Sequence, residues 1–488
     1  MNKSVKEKCI SVIYGVICGV VLLQTVLAAI WAVGNFTSVQ GFEDSRLYLS
    51  MAEGGFSDGF HLIGYVLLIN LSKWLGGVFK LPFTVFLYLL QLIIVQQLTD
   101  KGMGAFLRGL AGKKVPMHRV AILTTLVVTN PFLWQMTFAV LPDAISFALS
   151  FYILGYMFLW MKREEERNTP FAVVSFLAFL ILGIWERKAF WVTGTSVVIL
   201  CLIGWIRTAR AYRKNRFKAQ AARFIVPVAG VAICLLCAVF VNKAIRKDTY
   251  QGEYMEYSLQ ADAMKRFVYP NLMDSYPNYT DEFKEQMPDY IISTFQKGGM
   301  EYYYNSMGPM MEIRWGAKKT KKLCGMLNIK AATSHKSYLA KETAKEWFAG
   351  TFSPFILAKK RYPLGDSINP LYLNLMWKKM PNLTDLYVTI GRIGYPVCIV
   401  FMLLCGILSI ADEGKERFKS LLKTGLLFGG LILQTALSPL LLSVPEFNFR
   451  NVLLPCMLWA VVGMAMMISK KDEELFFIGK ETKWEKQH

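Results

Sequence analysis

Residues 41–55 read GFEDSRLYLSMAEGG, and the acidic pair Glu43-Asp44 stands there soon after an apolar run that ends near Gly34. Three other short stretches also set ionisable side chains against apolar runs. Asp143 follows Pro142 in FAVLPDAISF, Glu186-Arg187-Lys188 interrupt GIWERKAFW, and Glu446 and Arg450 lie in VPEFNFRNVLLP. Carboxylates and cations gathered in one place suit the chemistry of a phosphate ester. Arg and Lys neutralise a phosphate and stabilise it as it leaves. A nearby carboxylate can take the proton from an attacking hydroxyl or amine, or hold a divalent cation.

Each stretch also has an ordinary explanation. Asp143 is a good N-cap for the helix that follows it. Arg187 and Lys188 can snorkel to a membrane interface. Glu446 and Arg450 have the four-residue spacing of a helical ion pair. Glu43-Asp44 can be a solvated loop that caps the helix SRLYLSMAEG. What favours a site is a common location, and that depends on the elements that carry these residues.

Those elements are long and apolar. Of 488 residues, 54% are hydrophobic and 18% charged, and several uncharged runs reach the roughly 20 residues a helix needs to cross a bilayer. The expected fold class is an all-α polytopic membrane protein with about ten transmembrane helices, surface helices in the first outer loop and a helical outer-face domain. The run Cys9–Gly34 is too long for the apolar core of a signal peptide, so it reads as a retained span. The net charge of +20 is the charge of Lys/Arg-rich cytoplasmic loops, not of a nucleic-acid surface. The nine cysteines lie almost all within apolar runs, and Cys234-Leu-Leu-Cys237 reads as packing rather than redox chemistry.

Basic loops set the orientation. The N-terminus, residues 99–119, residues 207–223 and residues 411–423 all carry a Lys/Arg excess and are expected on the cytoplasmic side. An odd number of crossings must then separate residues 35–59 from 99–119, although two apolar runs, 60–78 and 81–98, lie between them. The first contains His61, Asn70 and Lys73 and is broken by Gly76-Gly77. It is therefore expected to lie along the outer surface or to re-enter, with 81–98 as the second span. Further spans are expected near 119–134, 139–160, 170–187, 189–206, 223–244, 388–410, 421–442 and 451–469. The chain thus divides into an N-terminal transmembrane module, 1–244, with a first outer loop at 35–80; an extracytoplasmic helical domain, 245–387; a C-terminal module, 388–470; and a cytoplasmic tail, 471–488. Both termini are cytoplasmic and the charged stretches all fall on one outer rim.

The span interiors hold almost no Asp, Glu, Lys or Arg, which weighs against a proton-coupled transporter. No DxD signature or Walker-type Gly-rich loop occurs, which disfavours direct use of nucleotide sugars or ATP.

Taken together, Glu43-Asp44 followed by SRLYLSMAEGG, the stretch TNPFLWQMTFAVLPDAISFALSFYILG, IWERKAFW and EFNFRNVLLP resemble the GT-C superfamily of membrane glycosyltransferases. The resemblance spans roughly residues 1–210 and 440–460; WWD-type and KPP-type motifs are absent. It implies sugar transfer, with inversion, from a polyprenyl-phosphate-linked donor to a glycan, lipid or protein acceptor at the outer face of the cell membrane. Asp44 would be the general base or the ligand of a divalent cation (Mg or Mn), with Glu43 supporting it. Arg187, Lys188 and Arg450 would grip the lipid phosphate, with Glu186, Asp143, Glu446 and His61 around the substrate. The expected partners are that donor, its acceptor and membrane lipids, with no nucleic acid. Two alternatives are a surface-polysaccharide polymerase or ligase, and a lipid-linked-oligosaccharide flippase or other transporter. The last would need a polar path, for which Asn70, Gln91 and Gln434 are the available residues.

Overall fold

The computed structural model describes residues 3–37, 43–54, 62–111, 115, 117–162, 169–185, 189–190, 193–198, 201–202 and 214–245, and the isolated positions 316, 336–337, 340–341 and 386. Among the described residues every regular element is a helix. In chain order these are α1 (Lys3–Asn35), α2 (Glu43–Gly54), α3 (Ile63–Phe79), α4 (Phe83–Ala111), α5 (Met117–Val128), α6 (Pro131–Thr137), α7 (Asp143–Lys162), α8 (Thr169–Trp185) and α9 (Lys214–Ile245). By length and composition α4 can cross a membrane over Phe83–Arg108; shorter apolar helical stretches lie in α1, α3, α7, α8 and α9. Apart from Ile245 and those isolated positions, the expected domain at 245–387, the three spans beyond it and the tail lie outside the described residues.

Several helices differ from their expected bounds for local reasons. α1, α4 and α9 run past the apolar segments into flanking basic sequence, because Lys, Arg, Gln and Ala are good helix formers. The run 119–134, expected as one span, is two helices. Pro131 has no N–H to give to the Val127 carbonyl, so the helix cannot continue through it. The Asn130 N–H instead reaches Val127 at 3.2 Å, a tighter closure that leaves the Leu126 carbonyl without its helical partner. Gln24 of α1 supplies one, donating from Nε2 to Leu126 O at 2.8 Å and to Thr129 Oγ1 at 3.1 Å.

Among the described helices, α4 and α7 share the most extensive interface. Their backbones approach at Gly102 and Gly155. A Cβ on Gly155 would collide with the Gly102 carbonyl, and one on Gly102 would come to 2.9 Å from Tyr152 Cα. Small residues at a helix crossing let two backbones meet and pack by dispersion, which is how helices associate where lipid removes the hydrophobic driving force. Gly183 plays the same part between α8 and α9, where its Cβ would meet Ala238 at 2.8 Å.

α3 and α4 form a hairpin. Lys80 terminates α3 in the left-handed region, at φ 54°, and the Leu81 N–H donates to the Gly76 carbonyl at 3.1 Å. Gly76 is needed there, since a Cβ would lie 2.9 Å from Leu81 O. α2 is tied to this hairpin by an ion pair, Lys73 Nζ to Glu53 Oε1 at 3.5 Å.

Candidate functional site

α6 ends at Thr137 and α7 starts at Asp143, so residues 138–142 leave the helical path. This turn is buried. A buried non-helical segment must find partners for its carbonyls, all the more so at membrane depth. Gln91 of α4 meets that need, its Nε2 donating to Thr137 O and to Ala139 O, both at 2.9 Å. The Tyr65 hydroxyl of α3 lies 3.2 Å from Gln91 Oε1 and 3.3 Å from Ala139 O, and its single proton serves one of the two. Trp185, the last residue of α8, donates its indole N–H to Pro142 O at 3.3 Å.

Pro142 O also accepts the Ser146 N–H at 2.9 Å. Pro142 is therefore the residue that caps α7, and Asp143 is its first helical residue, not the N-cap expected from sequence. A carboxylate in that first turn faces the positive end of the helix dipole. Asp143 is 8% exposed, so it stands behind the surface.

Aromatic rings surround this turn. Tyr65 is edge-on to Tyr48 of α2 at 5.0 Å and to Trp185 at 5.7 Å. Phe138 is packed by Trp31 at 5.7 Å, Phe36 at 5.8 Å, Tyr88 at 5.7 Å and Trp134 at 4.9 Å. Trp134 in turn donates its indole N–H to Ala28 O at 2.9 Å. The C-terminal ends of α1, α6 and α8, the N-terminal ends of α3 and α7, α2, and residues 88–91 of α4 all meet here.

Of the residues singled out in the sequence, Glu43, Asp44 and Asp143 lie on described helices at this end. Glu43 and Asp44 open α2, one helical turn before Tyr48; their side chains lie outside the described residues. Arg187 and Lys188 follow Trp185 closely in the chain, but they, Glu186, His61, Glu446 and Arg450 also lie outside. Asp143 is the one whose side chain is placed, and it is placed in the buried turn. Among the described residues no three His, Cys, Asp or Glu side chains gather as a metal site.

Sequence reasoning did not single out Tyr65, Trp185 or Tyr48 as organisers of this region. Gln91 carried a signal, being an amide in mid-span, and was read as a polar-path residue. Its amide hydrogens are instead committed to the 137–139 carbonyls. Of the other two such residues, Asn70 is half-buried on α3 and Gln434 lies outside the described residues. Comparison of the chain with protein-family models, with curated proteins and with solved structures gave no match.

Proposed function

We propose that the protein is a polytopic membrane glycosyltransferase of the GT-C type, acting at the outer face on a polyprenyl-phosphate-linked sugar. The observation that carries this reading is the meeting of three distant segments on Tyr65 and its turn. α2 begins with Glu43-Asp44, α7 opens with Asp143, and α8 ends at Trp185 just before Glu186-Arg187-Lys188. In the proposed reaction an acceptor hydroxyl attacks the anomeric carbon as the bond from that carbon to the phosphate oxygen breaks. Asp44 takes the hydroxyl proton, and Arg187 and Lys188 neutralise the departing polyprenyl phosphate. A divalent cation on Asp44 would serve the same phosphate. Inversion at the anomeric carbon follows from the single displacement.

The membrane topology belongs to the same reading. α1, α6 and α8 end, and α7 begins, beside the N-terminal half of α4, in keeping with alternating crossings when residues 99–119 are cytoplasmic.

The decisive experiment is transfer of labelled sugar from a polyprenyl-phosphate donor pool by the full chain in proteoliposomes. Asp44→Asn is expected to abolish transfer while the protein still purifies as a monodisperse species. A fully active Asp44→Asn overturns the assignment of Asp44 as base. Movement of intact labelled lipid across the bilayer without bond formation replaces the enzyme with a flippase.

A further inference from the structure

α3 shows an exposed apolar ridge whose residues recur at helical spacing: Leu67, Leu71, Trp74 and Val78, with Trp74 64% exposed. Its other face is buried, with Tyr65 and Ile69 fully enclosed. A helix in water with such a ridge would be an aggregation liability, so the ridge requires a covering partner.

The ridge continues into α4. Phe79 packs on Phe86 at 5.4 Å, and beyond Phe86 the same face of α4 exposes Leu89 and Ile93. α4 is the helix long enough to cross a membrane. No acidic residue occurs between Ile63 and Phe79, and Lys73 is drawn off to Glu53. Trp74 and the exposed Lys80 sit toward the C-terminal end, as residues that favour a headgroup interface do, while Leu67 and Leu71 lie toward the other end.

Depth follows from the contacts with α4. Tyr65 reaches Gln91, which is eight residues along α4 from Phe83, or about 12 Å at the rise of an α-helix. Gly76, near the other end of α3, lies against Leu81 and Phe83. The described length of α3 thus stays beside the first half of α4.

We infer that α3 is a re-entrant half-helix with its N-terminal end deep, and that its Leu67–Val78 ridge lies against phospholipid acyl chains. The inference rests on the membrane reading and is independent of the transferase reading. It predicts lipid on the ridge at graded depth, where a helix lying flat on the surface would meet lipid at one depth and one covered by a later segment of the chain would meet protein.

The test is photo-crosslinking of the full chain in vesicles of phosphatidylethanolamine and phosphatidylglycerol, with benzoylphenylalanine at position 67, 71 or 78 in turn. Position 93 on α4 is the reference. The expected result is lipid adducts at 67 and 71 in yields similar to those at 93. Adducts at 67 should fall on distal acyl carbons and those at 78 near the glycerol. Peptide adducts in place of lipid at both 67 and 71, with lipid still captured at 93, overturn the inference alone, as does a reversed depth order. Absence of lipid adducts at 93 as well overturns the membrane reading with it.

Discussion

Gln91 shows how much one side chain carries at the candidate site. Its amide hydrogens bind two carbonyls of the turn between α6 and α7, and its oxygen lies within reach of the Tyr65 hydroxyl. A buried carbonyl left without a donor costs about 1–3 kcal/mol. Gln91→Leu removes the donor from Thr137 and Ala139 and is expected to destabilise the protein by at least that amount, read as a lower melting temperature in detergent. Asp143 separates folding from chemistry. Asp143→Asn keeps the shape but removes a charge from the α7 N-terminus, where such charges contribute about 0.3–1 kcal/mol, more when partly buried. The expected outcome is a small loss of thermal stability and a much larger loss of sugar transfer; equal losses would make Asp143 purely structural.

Among the elements, the α4–α7 crossing sets how the bundle packs. Backbone meets backbone at Gly102 and Gly155, so an added side chain has no flexible neighbour to push aside. Gly155→Ala is expected to cost about 1–3 kcal/mol as the helices separate, seen by thermal unfolding of the purified protein. Gly104→Ala, on α4, is the control. Its Cβ would meet only Val120 Cγ1, at 3.8 Å, and it should be tolerated. Of the broken path of α5, α6 and the 138–142 turn, the gap between the runs 119–134 and 139–160 was legible in advance, while the break before Pro131 falls inside a run expected as one span. That Gln24 and Gln91 would serve the freed carbonyls was not legible, because both partners lie far away along the chain. Helix ends were least legible, since basic sequence beyond the apolar runs prolongs α1, α4 and α9 by propensity alone.

For the whole molecule, the proposed orientation makes a prediction that needs no knowledge of substrate. A reporter inserted after Gly55 is expected outside and one inserted after Lys113 inside, read by protection from a membrane-impermeant label. Both on one side would mean that α3 and α4 both cross or that neither does, and the alternation of the remaining helices would have to be redrawn. The aromatic packing around Phe138 and Tyr65 gives the same end of the bundle its coherence, since α1, α2, α4, α7 and α8 all place a side chain or a terminus there.

Composition and periodicity alone determined that the described segments are helical and apolar, and placed helices near 9–34, 170–187 and 223–244, because burial and spacing are local properties of a segment. They also placed acids and bases beside helix ends. Only the tertiary structure decided that the 138–142 turn is buried, that Asp143 stands inside it, and that Tyr65, Gln91 and Trp185 close around it. Those facts arise from pairings between residues as far apart in the chain as Tyr65 and Trp185, and a contact between distant segments leaves no mark on the sequence of either one.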